Sequence, residues 1–181
     1  MTVGTGTIAG ASISHERATV DDLDCAGPPS QRQGVEALLD VSGVDEAFVL
    51  QTCNRIEGYV VAETFHEGRE ALELLTSDVD DEVVVEMEHE RSLRHLLRVA
   101  AGLESLVLGE DQILGQIRDA YEDARGAGGI GSLLEPAITK AIRVGERART
   151  ETSINEGVVS LASAAVRLAS EEQDLSTATG L

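Results

Sequence analysis

The spacing of apolar residues changes once along this chain, close to Arg91, and this change limits the folds that are possible. Before that point, short runs of alternating or continuous apolar residues predict strands, and two runs with helical spacing lie between them. From Arg91 onward, the long apolar patterns have the helical period. We therefore expect a mixed half followed by a helical half.

The first half is predicted to form a split βαβ arrangement. Its elements come in the order strand, helix, strand, strand, helix, strand, which is typical of an antiparallel sheet with helices on one face. The predicted strands are residues 6–13, 46–51, 56–63 and 81–88, and the predicted helices are residues 34–41 and 68–75. The fold class expected for the chain is α+β, with a helical subdomain after the sheet.

The second half contains four segments with helical spacing, separated by GAGGIG at 126–131 and SINEG at 153–157. GAGGIG matches the glycine pattern of dinucleotide-binding loops, but it follows a helical segment rather than a strand, so we interpret it as a turn between helices. The predicted organisation has three parts. They are a sheet-containing subdomain at 1–90, a helical subdomain at 91–170 and a short link at 171–181.

The net charge is −19, and Lys140 is the only lysine. An apolar content of 42% argues against a disordered acidic chain. We interpret the charge as an acidic surface suited to high salt, where screening removes the self-repulsion of the folded state. Such a surface is unfavourable for nucleic acids, which usually bind basic patches.

The two cysteines do not form a disulfide framework, and no histidine lies near a cysteine at metal-ligand spacing, so no metal site is expected. The sequence contains no signal peptide and no long apolar run. We therefore expect a cytoplasmic protein with no membrane partner. Cys25 lies beside a Gly-Pro-Pro loop and is interpreted as structural.

QTCNRIEGY, residues 51–59, places Cys53 in a polar turn between two predicted strands. A lone cysteine is often a small packed hydrophobe. In this turn, backbone N–H groups are expected to point at a ligand, and Arg55 can stabilise a thiolate. Thr52 and Asn54 supply groups that hold a carbonyl or an oxyanion. The residues leave both interpretations open, a packed cysteine and a nucleophile.

A second polar group occurs in GLESLVLGEDQILGQIRDAY, residues 102–121. If one helix ran through this segment, Ser105, Gln112 and Gln116 would share a face. This face is either a pocket wall or a solvated stripe. His95, in an apolar helical stretch, is either a satisfied boundary residue or an acid, base or thiolate partner of Cys53.

Three motifs together resemble the N-terminal catalytic region of the glutamyl-tRNA reductase family. They are TCNRIEGY, HLLRVAAGLESLVLGEDQILGQIRDAY and GERARTETSINEGVVSLASAAVRLA, and the resemblance runs in unchanged order from about Gly10 to Ala169. SISHERATVDDL is a looser match to the opening segment of the family.

The resemblance implies an NADPH-dependent oxidoreductase that makes glutamate-1-semialdehyde, the precursor of 5-aminolevulinate in tetrapyrrole and porphyrin biosynthesis. Cys53 would attack the aminoacyl ester of glutamyl-tRNA and form a thioester. His95 matches a histidine important for activity. The implied substrate-binding residues are Thr52, Asn54, Arg55, Ser105, Glu110, Asp111, Gln112 and Gln116, with Arg55 suited to a substrate carboxylate.

In the family, an NADPH-binding domain and a helical dimerisation domain follow this region. The chain ends at DLSTATGL, so we expect the NADPH-binding domain to be absent from it, and reduction to need that domain. The implied partners are glutamyl-tRNA, a second subunit in a homodimer and glutamate-1-semialdehyde aminomutase. The candidate tRNA contacts are Arg91, Arg94, Arg98, Arg143, Arg147 and Arg149. For the three arginines of RVGERART, residues 143–150, a solvated helical face is the favoured alternative.

Two other functions remain open from the residues alone. One is a noncatalytic RNA-binding or protein-interaction module in which Cys53 is packed. The other is a cysteine-dependent esterase that performs no reduction.

Overall fold

The alternating first half of the chain forms a four-stranded antiparallel sheet. The computed structural model describes residues 6–106 and 112–155. The strand order is β2-β3-β1-β4, and every neighbouring pair is antiparallel. The strands are β1 (Thr7–Ser14), β2 (Val44–Gln51), β3 (Arg55–Ala62) and β4 (Val84–Met87). The α+β fold with a split βαβ sheet is confirmed.

Between and after these strands lie helices of very different length. They are α1 (Val20–Cys25), α2 (Gln31–Leu39), α3 (Phe65–Thr76), α4 (His89–Ala100), α5 (Gln112–Gly126) and α6 (Leu134–Glu151). The sequence did not predict α1, which begins with a capping box between Thr19 and Asp22. The fourth predicted helical segment of the second half lies outside the described residues.

The last strand is shorter than predicted. Residues 81–88 were expected to be extended, but Asp81–Val83 form a 3-10 turn before β4. The side chain of Asp80 caps this turn by accepting a hydrogen bond from the Glu82 N–H at 3.2 Å. Asp80 thus caps a helical turn where the apolar pattern predicted the start of a strand.

Helices cover both faces of the sheet. Gly58 and Tyr59 are consecutive in β3, so they point to opposite faces. Leu72 and Leu75 of α3 lie over Gly58, where an added Cβ would be only 2.6 Å from Leu75. Ser92 of α4 lies on the Tyr59 side, against Gly10 of β1. The helical half therefore packs on the face opposite α3.

The hydrophobic core is continuous between the two halves of the chain. One buried cluster includes Tyr59 and Leu72 from the first half and Leu96, Ile117 and Ile138 from the second half. All eight residues of β3 are buried, as expected for a strand covered on both faces. The division into subdomains at 1–90 and 91–170 stays a prediction.

Helix α4 ends in a glycine cap that changes the direction of the chain. Gly102 has φ +78°, its N–H bonds to the Val99 carbonyl, and the Leu103 N–H bonds to the Arg98 carbonyl. This is a Schellman motif, which ends helices at a glycine in the left-handed conformation. Ser105 lies in the non-helical turn that follows α4, so it is not part of a single helix with the two glutamines.

The glycine-rich segment 126–131 connects α5 to α6, which confirms its interpretation as an interhelical turn. A second Schellman motif ends α5, with hydrogen bonds from Gly128 to Arg125 and from Gly129 to Ala124. The buried carboxylate of Glu46 then accepts hydrogen bonds from three backbone N–H groups at the start of α6. These come from Gly131, Leu133 and Leu134, at 3.1, 3.0 and 2.7 Å.

None of the helices in the described ranges is long and apolar enough to cross a membrane.

Candidate active site

The turn between β2 and β3 is ordered by Thr52 and presents Cys53 to solvent. The Thr52 N–H donates to the Arg55 carbonyl at 2.9 Å. The Thr52 Oγ1 accepts from the N–H groups of Asn54 and Arg55 at 3.1 and 3.2 Å. The expectation that the N–H groups of this turn point at a ligand is therefore wrong for these residues. Cys53 itself is exposed at the tip.

An open cleft lies beside Cys53 and collects side chains from distant parts of the sequence. It is bounded by the end of β1, the β2–β3 turn, the turn after α4 and the start of α5. Its described lining is His15, Thr52, Cys53, Asn54, Arg55, Ser105, Leu106, Gln112, Ile113 and Gln116. Seven of the ten candidate residues named from the sequence therefore meet at one place.

The remaining candidates have different positions. Glu110 and Asp111 lie outside the described residues. His95 is on α4 and does not belong to the described lining of the cleft. Sequence reasoning missed two residues of this region, His15 and Glu57. His15 lies within the looser SISHERATVDDL match, from which no site residue was predicted.

Arg55 lines the cleft but is almost fully buried, and it is held by protein groups. Its side chain is 3% exposed, and Nη1 donates to Glu57 Oε1 at 2.7 Å. Nη2 donates to the backbone carbonyl of Glu104. This second bond ties the β2–β3 turn to the turn after α4, and it places Ser105, the next residue, at the cleft. In this structure Arg55 thus joins two segments of the site.

Glu57 is the centre of a buried polar cluster. Its fully buried carboxylate accepts hydrogen bonds from Arg55 at 2.7 Å, Tyr59 at 2.6 Å and Ser12 at 3.4 Å, and it contacts His95 Nε2 at 2.9 Å. Burial acts to raise the pKa of Glu57. The charge and hydrogen bond of His95, followed by the charge of Arg55, outweigh burial and lower the pKa to about 2.

A pattern in the sequence does indicate this cluster. Arg55, Glu57 and Tyr59 alternate along β3, so they share one face of a strand that is buried throughout. Charged residues are almost never fully buried unless they are paired. An arginine and a glutamate two positions apart in a buried strand therefore predict an ion pair on that face.

The contact with Glu57 favours the protonated form of His95. Burial acts to lower its pKa, but the charge of Glu57 and the hydrogen bond to it are stronger together, so the pKa of His95 is raised above 6.5. The side chain is 19% exposed. Among the described residues, its hydrogen-bonding contact is with Glu57.

The glycine-rich segment 126–131 does not fit a dinucleotide cofactor. It caps α5, and its Gly131 N–H is bonded to Glu46, whereas a dinucleotide loop needs a preceding strand and free N–H groups at a helix start. Within 6–106 and 112–155, no three His, Cys, Asp or Glu side chains are grouped to hold a metal ion.

The Glu57–His95 pair predicts how stability depends on pH. The lowered pKa of Glu57 contributes stability that is present above pH 4.5 and is lost as pH falls toward about 2. The raised pKa of His95 contributes stability that is complete below pH 6.5 and is lost as pH rises through the folded-state value. We expect His95→Gln to remove this loss at high pH, as measured by urea unfolding across the pH range.

The matched control for that measurement is His66→Gln. His66 is an exposed histidine on α3 whose carboxylate partner, Glu70, is also exposed. This variant should keep the wild-type dependence on pH above 6.5. An unchanged dependence in His95→Gln would contradict the assignment.

Comparisons with known proteins agree with the resemblance in the motifs. A family model described as "Glutamyl-tRNAGlu reductase, N-terminal domain" matches residues 11–152. The glutamyl-tRNA reductase of Haloarcula marismortui is 67% identical over 177 residues, covering 98% of this chain and 40% of that protein. That of Natronomonas pharaonis is 58% identical over 181 residues, covering 100% and 40%.

A solved structure has the same fold. Glutamyl-tRNA reductase from Methanopyrus kandleri matches with a TM-score of 0.76 and 36% sequence identity, covering 91% of this chain and 40% of that one. The chain thus spans about 40% of the length of the relatives it matches. The match to the family model, the sequence identities and the shared fold show that the chain belongs to the glutamyl-tRNA reductase family and corresponds to its N-terminal domain.

Proposed function

We propose that this chain is the catalytic domain of a glutamyl-tRNA reductase. In this proposal, Cys53 takes the glutamyl group from glutamyl-tRNA as a thioester, for NADPH-dependent reduction to glutamate-1-semialdehyde in 5-aminolevulinate biosynthesis. The observation that carries the proposal is the exposed Cys53 thiol beside a cleft lined by hydroxyl and amide side chains. A packed cysteine would be buried among apolar neighbours instead.

The proposed step is an acyl transfer without change of oxidation state. The Cys53 sulfur attacks the carbonyl carbon of the aminoacyl ester, a C–S bond forms, and the C–O bond to the terminal ribose breaks. The thiol proton passes to the released ribose oxygen, so that tRNA leaves with its hydroxyl group restored. The covalent bond keeps the activated glutamyl group on the protein.

The cleft provides polar groups suited to an α-amino acid. The hydroxyl and amide groups in the lining of the cleft come from Thr52, Asn54 and Ser105. Two further amides come from Gln112 and Gln116, which lie on α5. Amides and hydroxyls can each donate and accept, as an ammonium and carbonyl pair requires. Glu110 and Asp111 remain proposed substrate-binding residues on the strength of their motif.

The charged cluster next to the cleft contributes one cation to its lining, Arg55. Arg55 and His95 both contact Glu57, and the pKa of His95 is raised while that of Glu57 is lowered. The Glu104 carboxylate adds a further negative charge that acts on His95. We propose that Arg55 stabilises the Cys53 thiolate or the glutamyl side-chain carboxylate, and that His95 supports this arrangement through Glu57.

We propose that reduction depends on NADPH bound in another domain, as the family resemblance implies. The glycine-rich segment 126–131 of this chain does not fit a dinucleotide. A homodimer and transfer of the product to an aminomutase are proposed on the same basis.

Two of the candidate arginines are best placed for tRNA phosphates. Arg94, Arg98 and Arg147 are each paired with a glutamate, and Arg149 donates to the carbonyls of Ala100 and Gly145. Arg91 and Arg143 are exposed and form no ion pair within the described residues. We therefore propose these two residues as phosphate contacts.

Covalent capture of glutamate tests the nucleophile. Incubation with glutamyl-tRNA that carries labelled glutamate should give one hydroxylamine-sensitive adduct, assigned to Cys53 by mass spectrometry. Cys53→Ser should lower adduct formation by more than about 10³-fold because the thiolate is lost. Cys25→Ser is the matched control, since Cys25 is also an exposed thiol, and it should react as wild type does.

The other outcomes identify the alternatives. The same hydroxylamine-sensitive adduct in Cys53→Ser would contradict the proposal. Hydrolysis of glutamyl-tRNA without a trapped adduct would favour an esterase. Binding of tRNA with neither adduct nor hydrolysis would favour a noncatalytic module.

The acidic surface predicts a requirement for salt. At a net charge of −19, repulsion within the folded state is screened as the Debye length falls from about 10 Å at 0.1 M to about 3 Å at 1 M. The thermal unfolding midpoint should therefore rise with potassium chloride over this range. Full stability in dilute buffer would contradict adaptation to high salt.

A further inference from the structure

The cleft beside Cys53 also contains an imidazole, that of His15. His15 directly follows β1, whose last residue, Ser14, pairs with Arg55 of β3. The His15 N–H donates to the Asn54 carbonyl at 3.0 Å, which extends the β1–β3 ladder into the turn that carries Cys53. The backbone of His15 is thus fixed against the turn of the nucleophile, and its side chain lines the same cleft.

One ring nitrogen of His15 is buried without a hydrogen bond. Nδ1 has no partner among the residues that the structure describes. Buried polar atoms are nearly always hydrogen-bonded, because a missing bond leaves the cost of desolvation without compensation. Such atoms occur where a catalytic group finds its partner only in the complex with substrate. The orphaned nitrogen is therefore an observation that points to function and is independent of the family motifs.

The two histidines near the site differ in their ability to move a proton. His95 is bonded to the Glu57 carboxylate, its pKa is raised, and it lies outside the described lining of the cleft. Within the described residues, Nδ1 of His15 is bonded to no carboxylate, and His15 lines the cleft with Cys53. A residue that accepts and returns a proton needs access to both sulfur and substrate. His15 meets this condition better than His95.

We propose that His15 is the proton-transfer residue of thioester formation, an assignment that rests on the function proposed above. The imidazole takes the proton of the Cys53 thiol as the sulfur forms its bond to the ester carbon. The same imidazole then gives that proton to the ribose oxygen as the C–O bond breaks. Protons balance over the step, and no oxidant or reductant is needed.

The test compares two glutamyl esters with different leaving groups in the His15→Gln variant. The ribose oxygen of glutamyl-tRNA must be protonated to leave, whereas the phenolate of a nitrophenyl ester of glutamate leaves without a proton. Single-turnover acylation of Cys53 by glutamyl-tRNA should fall by about 10²–10⁴-fold. The loss of rate with the nitrophenyl ester should be at least about tenfold smaller than the loss with glutamyl-tRNA. With the nitrophenyl ester, only proton removal from the thiol is affected.

His66→Gln is the control, since this exposed histidine on α3 is not part of the cleft. It should acylate at the wild-type rate with both esters. A second variant, His15→Ala, leaves space for added imidazole, which should restore acylation by glutamyl-tRNA. This rescue keeps the test decisive if the glutamine variant folds poorly.

The outcomes separate this proposal from the function on which it rests. If wild-type protein forms no adduct, the proposed function fails. If wild-type protein forms the adduct and His15→Gln forms it equally fast, only the assignment of His15 fails. Equal losses with both esters, or no rescue of His15→Ala by imidazole, would also overturn it, because they indicate a structural role.

Discussion

The buried carboxylate of Glu57 is the interaction on which the site and much of the surrounding structure depend. Transfer of a carboxylate from water to the interior costs several kcal/mol, and this cost is recovered only with good geometry and full hydrogen bonding. Glu57 has both, with partners from β1, β3 and α4. Because these partners come from three elements, the carboxylate fixes how the helical half sits on the sheet.

The same cluster links the core to the cleft. Arg55 donates to Glu57 and to the Glu104 carbonyl, so one guanidinium group connects the buried carboxylate to the turn after α4. That turn exists because Gly102 ends α4 in a left-handed conformation. Ser105 follows the bonded carbonyl and lines the cleft with Cys53. The position of the polar lining thus depends on the buried carboxylate of Glu57.

The sequence was sufficient for features set by local pattern. The alternation of apolar residues predicted the strands and the split βαβ order, and the neighbours of GAGGIG excluded a cofactor loop in favour of a turn. The polar run at Cys53 was correctly placed between two strands. These features depend on spacing within about ten residues, which hydrophobic periodicity reports well.

Features set by distant contacts could not be predicted in this way. The bond from Arg55 to the Glu104 carbonyl joins two segments that are 49 residues apart, and only the folded chain shows that His95 contacts Glu57. The meeting of Ser105 with Gln112 and Gln116 was expected from one continuous helix. It arises instead from two segments that come together across the cleft. The orphaned nitrogen of His15 is likewise visible only once its surroundings are known.

The most direct test of the role of Glu57 is the free energy of unfolding of Glu57→Gln, measured by urea denaturation near neutral pH. Removal of one partner from a buried ion pair leaves Arg55 uncompensated, so the variant should lose about 3–5 kcal/mol. Glu63→Gln, at an exposed position just after β3, should remain within about 0.5 kcal/mol of wild type. A loss in Glu57→Gln no larger than that of Glu63→Gln would contradict the account.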